Sequence, residues 1–245
     1  MTELVPARTP VRLAVLGQPG VADATFPIRR IYCVGRNFAD HAREMGAEVA
    51  ASKAERGTPV FFLKPADAVV TDGIVPYPRG THDLHHEVEL TVALGTDAPP
   101  GVLDRTSAAS LVLGYGIGLD LTRRDLQAAA KAKGLPWDTG KSFDACAVAS
   151  PLLSKADVPA IDTLGLSLRV NGQLRQQGRF SDLVWDVPDI LIELSHLYAL
   201  KAGDLIYMGT PAGVAALQPG DRYSATLNGT GLQLAGIVVD GGATG

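Results

Sequence analysis

Two carboxylates, Glu87 and Glu89, stand two residues apart in an alternating run, His85-His86-Glu87-Val88-Glu89-Leu90-Thr91-Val92-Ala93-Leu94. Successive side chains of a strand point to opposite faces, so Glu87, Glu89 and Thr91 share one side and Val88, Leu90 and Val92 the other. Neighbouring acids in an apolar strand repel each other and resist desolvation unless a cation lies between them. Metal binding is the chemistry this suggests, and a solvated strand face is the alternative. Asp120, directly after the apolar, glycine-rich run 110–119, offers a third carboxylate. Three hard oxygen donors suit Mg2+ or Mn2+ better than zinc, although His85, the one nearby nitrogen on that face, would make a mixed site.

A second pair lies upstream. Residues 36–46 read as a short helix that Asn37 can cap and Gly46 can end. His41 and Glu44 are three apart on it, where a carboxylate orients an imidazole and the pair can activate water. An ordinary surface ion pair is the alternative. Lys141 follows Gly140 in an irregular segment; it is not a phosphate loop, because the glycine that motif needs five residues before its Gly-Lys-Ser ending falls at Leu135. Lys64 leaves a strand next to Pro65. Gly209-Thr210-Pro211-Ala212-Gly213-Val214 ends another strand, and its small residues let backbone N–H groups face a ligand or simply make a tight turn. Gln127 sits on a mixed helix face.

These residues need a scaffold. The 245 residues are 46% hydrophobic and 20% charged, enough for a sizeable core, and the net charge of −4 gives no electrostatic footprint for nucleic acid or an anionic membrane. No apolar stretch reaches the ~20 residues of a membrane span. Cys33 and Cys146 fit no zinc or redox spacing and read as buried, reduced thiols; with no export signal at the N-terminus, a soluble cytoplasmic protein is expected. Residues 1–29 read as an N-terminal arm and 30–245 as a single catalytic domain, with a mobile loop over 47–59.

Further along, 110–119 reads as a buried strand. Thr122-Arg123-Arg124-Asp125 reads as a capping box ahead of a helix through Lys133. The alternating run 164–170, the turn Asn171-Gly172 and the run 173–177 predict a hairpin. Asp186-Val187-Pro188-Asp189 starts a helix whose stripe is Ile190, Leu191, Leu194, Leu197 and Tyr198. About nine strands against three or four helices, without regular alternation, predict a β-rich α+β domain.

Val34-Gly35-Arg36-Asn37-Phe38-Ala39-Asp40-His41, Phe62-Leu63-Lys64-Pro65, the 85–90 run, Gly118 through Gln127, Gly134-Leu135-Pro136-Trp137, Lys141-Ser142-Phe143 and Gly209 through Val214 together resemble the fumarylacetoacetate hydrolase family, in order and spacing over residues 30 to about 240. Among its branches the chain looks most like fumarylpyruvate hydrolases of the gentisate route and related acylpyruvases. The resemblance implies a mixed β-roll, a homodimer, and a divalent ion on Glu87, Glu89 and Asp120. It implies a lid helix carrying His41 and Glu44, with Lys141 and Gln127 as further catalytic groups and Arg36, Lys64, Thr210 and Gly209 around the substrate. The implied reaction is hydrolysis of the C–C bond of a small 2,4-diketo acid. Decarboxylation of oxaloacetate and isomerisation of a 2-oxo-enoate are the alternatives. Phe38, where relatives often carry Tyr, and Gly140, where Ala is commoner, depart from the pattern.

Overall fold

The apolar runs become strands that cross behind one another to bury three acids. The computed structural model describes residues 8–17, 23–44, 55–158 and 160–242. In chain order these hold β1 (Arg12–Leu16), β2 (Thr25–Pro27), β3 (Arg30–Gly35), α1 (Ala39–Glu44), β4 (Val60–Lys64), β5 (Val69–Val70), β6 (Ile74–Pro76), β7 (Leu84–His86) and β8 (Val88–Leu94). They continue with α2 (Arg105–Leu111), β9 (Val112–Asp120), β10 (Thr122–Arg123), α3 (Arg124–Ala132), α4 (Asp138–Lys141), β11 (Ala147–Ala149) and β12 (Leu152–Ser154). The last elements are β13 (Gly165–Val170), β14 (Gln173–Arg179), α5 (Val187–Leu197), β15 (Asp204–Tyr207), β16 (Ala215–Leu217), β17 (Arg222–Asn228) and β18 (Gln233–Val239).

A ten-stranded mixed sheet runs β2-β1-β12-β9-β8-β15-β3-β4, with β11 on β9 and β5 on β11. A five-stranded sheet, β14-β13-β17-β18-β6, faces it, with β13 against β8 and β17 against β9. A small sheet, β10-β7-β16, closes one end. Between the large sheets, Leu90, Ile117, Leu119, Leu166 and Leu168 meet Leu191 and Leu194 of α5 in the main core. The opposite face of the large sheet holds a smaller core of Leu13, Ile31, Leu152, Leu205 and Tyr207. This is the β-rich α+β class, with helices at the margins. Gly118 of β9 shows why that strand is glycine-rich: a Cβ there would lie 2.3 Å from the Tyr207 ring.

The hairpin forms as β13 and β14, turned by Asn171 and Gly172 at φ of 50° and 79°. Asp186 caps α5 by accepting from Asp189 N, with Pro188 in its first turn, although Leu197 is exposed and not part of the buried stripe. Two expectations differ, and a third falls outside the described residues. The strand read from 110 starts at Val112, because Asp104 and Ser107 form a reciprocal capping box that carries residues 105–111 into α2. Thr122 caps nothing: it lies in β10, while the Asp125 carboxylate turns back to Thr81 Oγ1 and His82 N. Residues 45–54, which include Gly46 and most of the predicted loop, lie outside the described residues.

Asn37 does not cap α1 either. Its side chain pins three backbone groups of distant segments, donating to Trp185 O at 3.0 Å and Met208 O at 2.7 Å and accepting from Trp185 N at 2.8 Å, all buried. Removing it leaves those groups unpaired at about 1 kcal/mol or more each, so Asn37→Ala is expected to lose about 3 kcal/mol in urea unfolding. A loss under about 1 kcal/mol would contradict this accounting.

Candidate metal and catalytic site

β8 is buried along all seven residues, and so is Glu87 directly before it, so the two acids do not line a solvated face. The β8–β9 register sets Glu89 opposite Gly118, and Asp120 N donates to Glu87 O, which brings Asp120 level with Glu87. Oxygen atoms of Glu87, Glu89 and Asp120 lie within 4.8 Å of one another, each residue less than 5% exposed. His85 is not among them: its ring pairs with Asp83 at 2.8 Å.

Two lysines meet these carboxylates. Lys141, at the end of α4, donates to Glu87 Oε2 at 2.7 Å, Asp120 Oδ2 at 2.6 Å and Thr122 Oγ1 at 2.8 Å. Lys64, at the end of β4, donates to the carbonyls of Leu121 and Lys141 and stands 2.8 Å from Asp120 Oδ1 as a charge partner. Arg124, in the first turn of α3, closes on Glu87 Oε1. Burial alone would favour the neutral forms of Glu87 and both lysines. On Glu87 it is overridden by Lys141 and Arg124, which hold the carboxyl well below its usual range. On both lysines it is overridden by Asp120, and they stay charged.

Glu89 is the exception. Its carboxylate receives Gly209 N at 2.7 Å, and burial, then Asp120 and Glu87, push its proton affinity well up. Asp120 Oδ1, buried and close to Lys64, accepts no aligned hydrogen bond. An under-neutralised acid, an orphaned lone pair and an all-oxygen set are what a hard divalent cation would satisfy, so these three residues fit such an ion.

The second pair arrives from the other wall. α1 places His41, 7% exposed, on the same pocket as the triad. Its Nδ1 lies 3.4 Å from Glu44 Oε2, and Gly213 N donates to the Glu44 carboxylate. Burial lowers the affinity of the imidazole for a proton, against the pull of Glu87 and Glu44, so the neutral ring is favoured.

Arg36, Gln127 and Thr210 also line this pocket, with Phe62, Trp137 and Lys131. Gln127 Oε1 accepts from Arg124 at 2.7 Å, which leaves its Nε2 as the group free to donate. Two residues expected around a substrate turn elsewhere: Lys64 lies behind the carboxylates, and the Gly209 N–H is spent on Glu89. Glu44 reaches the pocket through His41. Gln176, which sequence reasoning missed, accepts from Val88 N and donates to Thr210 Oγ1 and Pro211 O, tying β8 to the 209–214 turn. No local pattern around it signals this; the contact exists because β14 crosses that turn.

The C-terminal domain model of fumarylacetoacetate (FAA) hydrolases matches residues 30–238. The chain belongs to the fumarylacetoacetate hydrolase family. Its structure is similar to that of fumarylpyruvate hydrolase from Pseudomonas aeruginosa, solved with Mn2+ and pyruvate, with a TM-score of 0.88 and 40% identity over 98% of this chain and 100% of that one. In sequence it is 41% identical to the mitochondrial oxaloacetate tautomerase of Rattus norvegicus, over 82% of this chain and 88% of that protein. It is 37% identical to the mitochondrial oxaloacetate decarboxylase of Dictyostelium discoideum, over 82% and 89%. Family membership therefore makes this an enzyme fold with a small-molecule site, and relatives in the family differ in what they do to 2-oxo acids. None of its described helices is long and apolar enough to cross a membrane.

Proposed function

We propose that this chain hydrolyses the C–C bond of a 2,4-diketo acid, with fumarylpyruvate giving fumarate and pyruvate as the nearest case, and that Glu87, Glu89 and Asp120 hold Mg2+ or Mn2+. The observation that carries this is the His41–Glu44 pair opening on the same pocket as the triad. Hydrolysis consumes a water and needs a base for it; decarboxylation does not.

When bound, the ion supplies Lewis-acid polarisation of the substrate's 2-oxo acid end. His41, neutral and oriented through Nδ1 by Glu44, takes a proton from water at Nε2. The hydroxide oxygen bonds to the 4-oxo carbon. Arg124 and Gln127 Nε2, both facing the pocket, donate to the oxyanion that forms. Lys141, whose three protons go to Glu87, Asp120 and Thr122, keeps the carboxylates ionised and fixed. The C3–C4 bond then breaks, the acyl group leaves as a carboxylic acid, and the proton taken up by His41 is given back to the electron pair at C3, which yields pyruvate and restores the neutral imidazole. Loss of the substrate's enol absorbance with Mg2+ or Mn2+, its abolition by EDTA, and identification of both products test the reading.

The tautomerase and decarboxylase relatives favour a second reading, proton transfer or CO2 release from oxaloacetate at the same pocket. Unchanged acylpyruvate beside turnover of oxaloacetate would put it in first place. The family resemblance also supports a cytoplasmic homodimer; light scattering on the purified chain tests the dimer.

The base must be deprotonated, and burial places its titration below the ordinary imidazole value of 6.5. Hydrolytic kcat/KM is therefore expected to hold from pH 8 to about 6.5 and to fall only on the acid side of that value, with slope one. An acid limb centred above pH 7 would remove His41 from this role.

A further inference from the structure

Beyond the reacting end, the pocket carries more positive charge than its acids use. Arg36 and Lys131 both line it, from the β3–α1 connection and from α3. Neither forms an ion pair with a carboxylate among the described residues. Arg36 is held at φ 61°, a left-handed conformation costing about 1 kcal/mol or more in a non-glycine residue. The adjacent Asn37, pinned by three buried hydrogen bonds, enforces it. Strain of this kind persists where the direction of a side chain matters. Lys131 is gathered into the same field: burial, then Arg124 and Arg36, depress its proton affinity.

Aromatic rings set how far this charge lies from the chemistry. Lys141 Nζ is 4.9 Å from the Phe62 ring centre, Phe62 and Trp137 centres are 6.4 Å apart, and Lys131 Nζ is 4.9 Å from Trp137. Two neighbouring rings thus link the lysine of the triad to the outer one, a wall suited to a flat, unsaturated chain. The second carboxylate of oxaloacetate, one methylene from its 2-oxo carbon, would stay at the triad end.

We propose that Lys131 and Arg36 recognise a terminal carboxylate on the acyl group, so that the substrate class is a 2-oxo diacid long enough to span the Phe62–Trp137 wall. This rests on the reading that the triad end takes the 2-oxo acid.

Binding to the Mn2+-loaded protein tests it without turnover. 2-Oxoheptanedioate and 2-oxoheptanoate have the same carbon chain and differ in the terminal carboxylate, and neither has a 4-oxo group to be hydrolysed. By calorimetry the protein is expected to bind the diacid at least tenfold more tightly, as a charge-assisted contact implies. Lys131→Met, which keeps an unbranched stem against Trp137, should weaken the diacid about tenfold or more and leave the monoacid unchanged. Lys131→Arg should restore the preference, and Arg36→Gln should lower it. Equal binding of the two acids by the parent, or equal losses for both in Lys131→Met, would overturn the proposal while leaving acylpyruvate hydrolysis standing. Failure of the parent to bind either acid would overturn both.

Discussion

His41→Ala is expected to lose about a thousandfold in kcat for acylpyruvate hydrolysis, within the range removal of a general base produces, and to bind Mn2+ as tightly as the parent. The separation follows from the geometry. His41 reaches the pocket from α1, while the three candidate ligands sit on β8, β9 and the β7–β8 junction, and its ring contacts Glu44, not any of them. Glu44→Gln keeps the ring in place but removes the charge that favours the imidazolium, so a smaller loss, about tenfold to a hundredfold, should accompany it. Steady-state hydrolysis beside a Mn2+ titration followed by electron paramagnetic resonance reads both effects. Hydrolysis retained within tenfold in His41→Ala would eliminate the proposed base.

Lys141→Met should be the most destabilising single change in the pocket. The ammonium is 3% exposed and serves two buried carboxylates, and taking away one partner of such a pair costs about 3–5 kcal/mol because a buried charge is left behind. Arg124 on Glu87 and Lys64 beside Asp120 keep the loss toward the lower end. For a chain of this size that corresponds to a fall of about 6–12 °C in Tm, measured in EDTA. Added Mn2+ should recover part of it, since a cation on the same oxygens replaces the missing charge. A variant as stable as the parent in EDTA would show that Glu87 and Asp120 protonate at little cost and that Lys141 is not their main counter-charge.

What could be read from the residues alone was chemistry with local support. The Glu-Val-Glu alternation announces two acids on one face, and Asn171-Gly172 announces its hairpin, because strand period and turn type are set by immediate neighbours. Their burial was not legible, since it depends on β13 and β17 packing across β8 and β9 from over seventy residues away. Arg124 shows the same boundary. It stands beside Arg123, and only the structure distinguishes them: Arg123 lies over Phe143, while Arg124 turns to Glu87. Asn37 was misread for a related reason. Its type and place before a helix satisfy the rule for a cap, but Trp185 and Met208 offer the same amide three partners at once. Competition from distant backbone is invisible to any window of sequence.

Glu89 bears on how such a chain would change over generations. Enclosed by β8, β9 and β15, with two like charges nearby and a single N–H for company, it makes the metal-free fold less stable than an apolar residue of the same size would. Selection for stability alone would therefore discard it early, and most substitutions there would be rewarded in the folded chain while removing a proposed metal ligand. A descendant that had lost its activity would be recognised by a leucine or methionine at this position and a more heat-resistant apoprotein.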